Sequence, residues 1–461
     1  MTATLSAKQL LRTRSVAPFL LASAASTTAT MIQITALGKQ IYDMTGRDLD
    51  LGLLGLAEFV PALLLMTVTG SVADRFNRRH VASIGLIIEF VTTAMMAWYI
   101  ATSPTATLPI FAIVIGFGVG RAFANPATRS MPPDIAPDGE LPRLIAFHVG
   151  TWQAGAIIGP ILAGFLFVVS PSAPFVACMV LTSGAAVLIQ FARPRPDRVT
   201  PGSNLAREQD AMLVDLGNES RPAELLDSLG ESNAEHIAHS SMQPSVTTPT
   251  KVKKRTFREA FEGFRVIRRN PALLGAISLD LFAVLFGGAV ALLPAIAENR
   301  LGVGAVGLGW LRAAGGIGAA LVTVLLSLKP IRRRTGPIMF ISVAFFGIFT
   351  IVLGITQSFA VAFLSVMLLS AADSVSVFIR STLVPLVTPS SARGRVMAVE
   401  GVFIGASNEL GAFESGVAGQ LLGTGRAVVF GGVATIGVVL AWIVLFPVLW
   451  RYDRFPDRPP D

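Results

Sequence analysis

The sequence is poor in the residue types that build catalytic and metal centres, and poor in charge. Its 461 residues include one cysteine and four histidines, and 14% of them are charged, whereas soluble domains average about 25%. Cys178 lies alone in an apolar run, so it cannot form an internal disulfide, and we expect it to be a packing residue. No histidine lies with acids or cysteine at the spacing of a zinc site. We therefore expect no metal, no cofactor and no enzymatic activity.

Motifs of other protein classes are also missing. The sequence has no serine nucleophile elbow and no phosphate-binding loop of an ATP-driven pump. Its net charge is +8, but the basic residues cluster at the ends of apolar runs rather than along one groove, so we expect no nucleic acid partner. A channel is disfavoured by the internal repeat and the glycines described below, which suit alternating access better.

Long apolar runs are what the sequence has in excess. A bilayer core of about 30 Å needs roughly 20 apolar residues per helix, and twelve runs of this kind occur. They lie at residues 16–42, 51–73, 80–101, 108–128, 143–168, 174–193, 272–297, 305–328, 337–356, 359–384, 396–422 and 427–450. Their length and continuity exclude the shorter, alternating strands of a membrane barrel. The predicted fold class is an all-α membrane protein with twelve transmembrane helices.

The distribution of lysine and arginine predicts the orientation. If the N-terminus is cytoplasmic, seventeen of these residues fall in the short inner segments and four fall at the outer ends. Positive residues concentrate on the cytoplasmic side of membrane proteins. We therefore expect a multi-pass protein of the cell membrane, plasma or bacterial inner, with both termini cytoplasmic. The first run is long enough to span, so we interpret it as a retained helix rather than a signal peptide.

A polar segment divides the chain. Within residues 201–250 eight acids occur against two bases, without apolar periodicity, and this composition is typical of disordered linkers. The predicted organisation is a six-helix bundle over 1–193, an acidic cytoplasmic linker over 194–256, and an amphipathic helix plus a second six-helix bundle over 257–461. The amphipathic helix, at 257–269, either lies on the cytoplasmic leaflet or packs on the base of the bundle.

The two halves of the sequence resemble each other. RSMPPDIAP at 129–137 matches RSTLVPLVTP at 380–389, and the same offset aligns Gly159 with Gly411. Several matches at a nearly fixed offset indicate a parallel repeat of six plus six helices, which is the architecture of one large transporter class. We therefore expect two pseudo-symmetric bundles.

The loop between the second and third runs carries the most specific motif. GSVADRFNRR at 70–79 resembles the loop motif of the major facilitator superfamily, in which a glycine is followed by an acid and basic residues at fixed spacing. Asn77 stands where the family has glycine, and because asparagine tolerates the left-handed conformation we expect a tight turn. The resemblance implies a gating role, in which Asp74 helps to lock the two halves on the cytoplasmic side when the protein opens outward. The residues of this motif are Gly70, Asp74, Arg75, Arg78 and Arg79.

A second motif lies in the fifth run. GAIIGPILAG at 155–164 is similar to the antiporter motif of the same superfamily, with Ala163 in place of a glycine. Its glycines provide a surface for close helix packing, and its proline removes a backbone donor and bends the helix. In the superfamily this motif accompanies export in exchange for protons. The residues that carry it are Gly155, Gly159, Pro160 and Gly164.

Longer stretches at 45–79, 118–137 and 262–280 resemble the branch of this superfamily that includes the bacterial enterobactin exporter and several macrolide and multidrug efflux proteins. The resemblance implies a secondary transporter that moves a small amphipathic molecule, a drug or a siderophore-like metabolite, by alternating access with proton coupling. We expect a monomer in the lipid bilayer, with a small-molecule substrate and protons as partners. The alternatives are an exporter or flippase of lipid-like metabolites and, after it, an uptake permease.

Ionisable residues inside the apolar runs need a reason, because a charge at the bilayer centre costs from about 2.5 to more than 10 kcal/mol. The resemblance implies that the first, fourth, seventh and tenth helices line a central cavity. Arg121, Asp280 and Asp373 fall on these helices, and either a transport role or a structural ion pair explains each of them. We favour Asp280 as the proton-coupling acid and expect Asp373 to hold Arg121 in position.

Other embedded charges are secondary candidates. Glu58 and Arg312 occupy equivalent places in the second and eighth runs, so we predict a structural salt bridge between them. Glu400 is expected to be solvated or paired with Arg393 or Arg395. In the eleventh run, two acids lie among glycines, where a gating role and a structural role are both open. The secondary candidates are Glu409, Glu414, Glu58 and Arg312.

Overall fold

The computed structural model describes residues 7–193, 257–390 and 392–456, and the regular elements in these ranges are all helices. The predicted linker at 194–256 lies outside the described residues. Twelve of the described helices are long. They are α1 (Val16–Thr45), α2 (Asp48–Arg75), α3 (Arg78–Ala101), α4 (Leu108–Ser130), α5 (Leu141–Val169), α6 (Ala173–Leu188), α7 (Pro271–Phe286), α8 (Gly304–Leu328), α9 (Thr335–Ile355), α10 (Phe359–Val387), α11 (Arg393–Leu422) and α12 (Thr424–Leu445).

Ten of the helical segments in the described residues are long and apolar enough to cross a membrane. The other two long helices, α2 and α11, have 28 and 30 residues and pack against each other. The prediction of an all-α membrane protein with twelve transmembrane helices is therefore confirmed.

The two groups of six helices pack in the same pattern. In the first half α1 lies on α5 and α6, α2 lies on α4, and α3 lies on α4 and α6. The same relations hold six helices later: α7 lies on α11 and α12, α8 lies on α10, and α9 lies on α10 and α12. Two further seams, α2 with α11 and α5 with α8, join the halves. This pattern is the pseudo-symmetric pair of bundles expected from the internal repeat.

Both described ends of the chain lie on one side of the molecule, because an even number of spans separates them. There the Ser15 hydroxyl donates to the Arg193 carbonyl at 2.9 Å, and the Thr335 amide donates to the Asp453 carbonyl at 3.2 Å. We call this side the terminal face and the other side the opposite face.

The two seams are closed toward the opposite face and open toward the terminal face. On α11, a Cβ atom at Gly405 would lie 3.3 Å from the Phe59 ring of α2, whereas one at Gly401, a turn nearer the terminal face, would meet nothing within 4 Å. On α5, the Gln153 amide reaches the Gly316 carbonyl of α8 at 3.5 Å, whereas a Cβ atom at Gly150 would meet nothing within 4 Å. The space between the halves therefore opens at the terminal face.

Backbone contacts without intervening side chains build the closed part of the seams. A Cβ atom at Gly164 of α5 would lie 2.6 Å from the Ala305 carbonyl oxygen of α8, and one at Gly52 of α2 would lie 2.9 Å from the Ala412 carbonyl oxygen of α11. Any larger residue would push the halves apart at these points, because a Cβ needs more than 3 Å. Small residues give membrane helices this kind of close approach.

The seventh span is broken, which the sequence did not predict. Helix α7 ends at Phe286 and continues to Arg300 through a 3₁₀ turn, a short α-turn and a π-helical turn. Two glycines make the break possible, since a Cβ atom at Gly287 would collide with the Phe346 ring and one at Gly288 with the Gly411 carbonyl. π-Helical turns are rare, and those that occur are often found at functional sites. This one carries Glu298 and Asn299, which contact the first half at the closed face.

The amphipathic segment forms a helix, Phe257–Arg269, and it packs on the base of the bundle rather than lying apart on a membrane surface. Glu262 forms an ion pair with Arg395 at the start of α11. The rings of Phe264 and Phe403 are 6.4 Å apart, and Ile267 is fully buried. Of the two alternatives left open by the sequence, the structure therefore favours the second.

Candidate functional site

Three ionisable side chains meet inside the second half. Arg380 of α10 forms an ion pair with Asp280 of α7, and its Nε lies 3.5 Å from a carboxylate oxygen of Glu400 on α11. The side chains of Arg380, Asp280 and Glu400 are only 4%, 6% and 10% exposed. We call them the α7–α10–α11 cluster. Two carboxylates share one guanidinium, so the cluster carries one net negative charge when both acids are ionised.

A second group of the same composition lies at the seam between the halves. Arg121 of α4 forms an ion pair with Glu58 of α2. Glu409 of α11 interacts with Arg121 electrostatically. Its carboxylate packs against α2, because a Cβ atom added at Gly55 would lie 2.6 Å from a carboxylate oxygen of Glu409. We call Glu58, Arg121 and Glu409 the interhalf cluster. It also offers two carboxylates for one guanidinium, but one of them comes from the other half of the protein.

Helix α11 contributes one acid to each cluster. Glu400 and Glu409 are nine residues apart, which is two and a half turns at about 3.6 residues per turn, so they project from opposite sides of the helix. One side faces α7 and α10 within its own half, and the other faces α2 and α4 of the first half. Any movement of α11 relative to the first half therefore changes the interhalf cluster.

Three predicted pairings are wrong. Glu58 does not pair with Arg312, because α2 contacts α11 while α8 contacts α5. Arg121 is held by Glu58 rather than by Asp373. Glu400 interacts with Arg380, whereas Arg395 is occupied by Glu262. In each case the residue lies on the predicted helix, and the error is in which neighbouring helix it faces.

The remaining acids of the predicted set are dispersed. Asp373 lies on α10 seven residues before Arg380, so the two side chains share a helix face two turns apart. Among the described residues, Asp373 has no ion pair within 4 Å. Glu414 lies near the opposite-face end of α11, where its carboxylate is hydrogen-bonded to Ser415. The structure thus places Asp280 in one cluster, Arg121 in another and Asp373 in neither.

Polar contacts between the halves close the opposite face. Lys39 of α1 pairs with Asp43 one turn away and lies 3.2 Å from Glu298, in the π-helical turn that follows α7. Beside them, the Asn299 amide donates to the hydroxyl of Tyr42. We call these five residues the opposite-face gate. Lys39 was not among the predicted site residues, although its spacing of four from Asp43 inside an apolar run was a signal that it is paired.

The described arginines of the loop motif form their hydrogen bonds within the first half. Arg78 donates to the Ser130 carbonyl at 2.8 Å and to Asp134 at 2.9 Å, and Arg79 donates to the Gln190 carbonyl at 3.1 Å. Both arginines therefore fasten helices of the first half. The side chains of three further motif residues, Gly70, Asp74 and Arg75, lie outside the described part of the structure.

The expected left-handed turn at Asn77 is wrong. Its backbone is extended, with φ −60° and ψ 114°, and its side chain accepts a hydrogen bond from the Arg79 amide at 3.1 Å. Asn77 is thus the N-cap of α3, a position that favours asparagine because its side chain satisfies a free backbone amide. Asparagine replaces the family glycine here for its hydrogen bond rather than for its backbone freedom.

The α5 motif lies against both halves. Cβ atoms at Gly155 and Gly159 would come within 2.8 and 2.6 Å of Thr27 and Met31 on α1. The Pro160 carbonyl oxygen lies 2.5 Å from where a Cβ atom at Gly309 of α8 would be. The motif therefore holds α5 between its own half and the other, where a bend or rotation of α5 changes the seam.

Comparison with known proteins gives a family match over most of the chain. The family model described as "Major Facilitator Superfamily" matches residues 19–399. Two curated relatives come from Staphylococcus aureus: a Staphyloferrin A transporter, 26% identical over 122 residues, and the Quinolone resistance protein NorA, 27% identical over 126 residues. These alignments cover 26% and 27% of this chain and span about a third of the relatives, 30% and 31% of their lengths.

Solved structures with the same fold match over nearly the whole chain. A POT family transporter in complex with a thioalcohol-conjugated peptide has a TM-score of 0.68 at 13% identity, covering 95% of this chain and 96% of its own. A bacterial homologue of the human lysosomal transporter Spinster has a TM-score of 0.63 at 14% identity, covering 95% of both chains. At these identities the likeness concerns the fold alone.

Proposed function

Because this chain belongs to the Major Facilitator Superfamily, whose members are transporters rather than enzymes, we propose that it exports a small amphipathic molecule in exchange for protons. The proposed localisation is the cell membrane, with the terminal face toward the cytoplasm, because the excess of lysine and arginine lies on that side. In this orientation the described conformation is inward-facing. An exporter takes up its substrate in this state.

The observation that carries proton coupling is the charge balance of the two clusters. Each cluster has two carboxylates for one guanidinium, and burying a charge without a partner is costly unless the group takes up a proton. One carboxylate of each cluster is therefore a candidate for reversible protonation. In the α7–α10–α11 cluster the side chains of Asp280 and Glu400 are only 6% and 10% exposed. We therefore propose that these two acids hold one proton between them.

Alternating access gives the proton a way to move in step with the substrate. When the halves rock, α11 moves relative to α2 and α4, and the distance between Glu409 and Arg121 changes. A carboxylate near a guanidinium favours its ionised form, and one that loses this neighbour in an apolar setting favours its protonated form. Because Glu400 lies on the same helix as Glu409, protonation in one cluster and the conformation of the seam are connected through α11.

Two features support export. The α5 motif packs between the halves, and in the superfamily its sequence accompanies export in exchange for protons. One relative is named as a quinolone resistance protein, and a membrane transporter confers resistance by lowering the amount of drug in the cell.

The proposal is tested in vesicles made from purified protein. Asp280→Asn and Glu400→Gln should each abolish uphill, proton-driven accumulation of a labelled substrate, while downhill counterflow persists, because binding and rocking do not need the proton. Glu262→Gln is the matched control, since it also removes a carboxylate from an arginine, but at a side chain that is 43% exposed. If both cluster variants still concentrate substrate, and a protonophore still collapses that gradient, the coupling acid lies elsewhere and Glu409 is the next candidate.

A groove in the first half favours the alternative of a lipid-like metabolite. It has a volume of about 640 Å³ and is almost entirely apolar, and it runs between α2 and α4. Its lining residues are Leu53, Leu56, Ala57, Val60, Pro61, Leu64, Leu65, Phe111 and Ile115. Counterflow of a labelled drug, a siderophore and a lysolipid in the same vesicles separates the two candidates.

A further inference from the structure

Arg312 of α8 points into the space between the halves. A Cβ atom at Gly309 or Gly316 would touch α5, at the carbonyl oxygens of Pro160 and Ala156, respectively. One at Gly315 would lie 3.0 Å from the Ser370 hydroxyl of α10. At about 100° per residue, Arg312 projects between these two helix faces. It therefore points to the side of α8 on which the first half lies.

The guanidinium of Arg312 reaches across to the first half just beneath the opposite-face gate. A Cβ atom added at Gly38 of α1 would lie 3.5 Å from one Nη atom of Arg312. The same Cβ atom would lie 3.1 Å from the Pro294 side chain. The next residue of α1, Lys39, belongs to the gate. Arg312 thus lies where the open space between the halves ends.

No protein group neutralises this guanidinium in the described part of the chain. Its Nε is buried and has no hydrogen-bond partner, and none of the described ion pairs includes Arg312. The two acids of the gate, Asp43 and Glu298, are both occupied by Lys39. The acid on α10, Asp373, lies closer to the terminal face. Arg121 and Arg380, by contrast, each have carboxylate partners.

We propose that Arg312 binds a carboxylate of the transported molecule. Arg312 is partly buried, and a cation that loses water without gaining a partner is costly. Its guanidinium offers paired donors that match a carboxylate. A substrate that enters from the terminal face reaches Arg312 at the end of its path, where its negative charge supplies the missing partner. This substrate class rests on the proposed transport function, although the binding step can be measured without transport.

The first test separates a recognition residue from a structural one by thermal unfolding of the purified, ligand-free protein. Arg312→Gln should unfold at the same or a higher temperature than the wild type, because it removes an uncompensated charge. Arg121→Gln is the matched control and should unfold at a lower temperature, because it leaves Glu58 without its partner. A lower unfolding temperature for Arg312→Gln, comparable to that of Arg121→Gln, would assign Arg312 to the structure and overturn the proposal.

The second test measures binding with matched pairs of probes: a quinolone with its free carboxylate and its methyl ester, and citrate and its trimethyl ester. At least one free acid should bind the wild type at least tenfold more tightly than its ester, and Arg312→Gln should abolish that preference. Arg312→Lys should retain part of it, because the charge remains and the paired donors are lost. Equal binding of acid and ester, or no binding of either acid, contradicts the carboxylate assignment. Binding of a lysophospholipid at the site, in the absence of binding by both acids, contradicts it as well.

The two proposals can fail separately. If acids bind through Arg312 but the Asp280 and Glu400 variants still drive uphill efflux, carboxylate recognition stands and the proposed coupling acids are wrong. If those variants lose uphill efflux but acid and ester are handled alike, proton coupling stands and Arg312 has another role.

Discussion

Removal of Arg380 should destabilise the protein far more than removal of either of its acidic neighbours. Arg380→Gln leaves two buried carboxyl groups, at least one of them ionised, without a cation, and breaking a buried ion pair in this way costs about 3–5 kcal/mol. Asp280→Asn, by contrast, leaves Arg380 with Glu400 as a neutral pair, and the new amide oxygen can still accept a hydrogen bond. We expect that variant to lose about 1 kcal/mol of unfolding free energy.

Intrinsic fluorescence provides the assay. The Trp442 indole donates to the Ser278 hydroxyl at 3.0 Å, two residues from Asp280, so thermal unfolding of this region changes its emission. The loss caused by Arg380→Gln should be larger at pH 8 than at pH 5, because protons neutralise the stranded carboxylates at the lower pH. Arg332→Gln, at an exposed loop position, should stay within about 0.5 kcal/mol of the wild type. Equal unfolding temperatures for Arg380→Gln and Asp280→Asn at pH 8 would refute the charge balance described here.

Three further changes test the gate, the loop motif and the topology. Lys39→Met should widen the distance between spin labels placed across the opposite face, because the lysine that now contacts both Asp43 and Glu298 is lost. Lys329→Met, at an exposed position, should leave this distance unchanged. Asp74→Asn should reduce transport in vesicles without lowering the amount of folded protein, and full activity would show that the motif acid is dispensable. Ser232→Cys in a Cys178→Ser background should resist an impermeant thiol reagent on intact cells, whereas rapid labelling would reverse the proposed orientation.

The fold was predictable because hydrocarbon thickness fixes the length of a span, and the apolar runs of this chain have that length. The ends of the spans depend on local chemistry that hydropathy does not record. The seventh run was predicted as one helix to 297, but Gly287 and Gly288 let the backbone break against α9 and α11. The twelfth run was predicted to 450, but α12 ends at Leu445, and the helix resumes after Phe446 at a proline.

The site was predictable only to the level of single helices. The sequence identified Asp280, Arg121 and Glu409 as embedded charges, since each interrupts an apolar run. Their partners depend on which helices are neighbours and on how each helix is rotated about its axis. Neither property can be read from the sequence of a single apolar run. Glu400 was expected to be solvated or paired with Arg393 or Arg395, yet it lies beside Arg380 of α10 and its side chain is only 10% exposed. Arg380, which contacts both acids of its cluster, was not among the predicted site residues.

The seams between the halves have a consequence for how this protein can diverge. Toward the opposite face, backbone touches backbone at Gly52 and Gly164, so nearly every substitution there adds atoms where no space exists. Toward the terminal face the same helices separate, and side chains can change in size and charge without touching the other half. Random mutagenesis should therefore recover variants with altered substrate range from the terminal half of the molecule and from Arg312 at the end of the open space, while the closed seams should yield mainly inactive proteins.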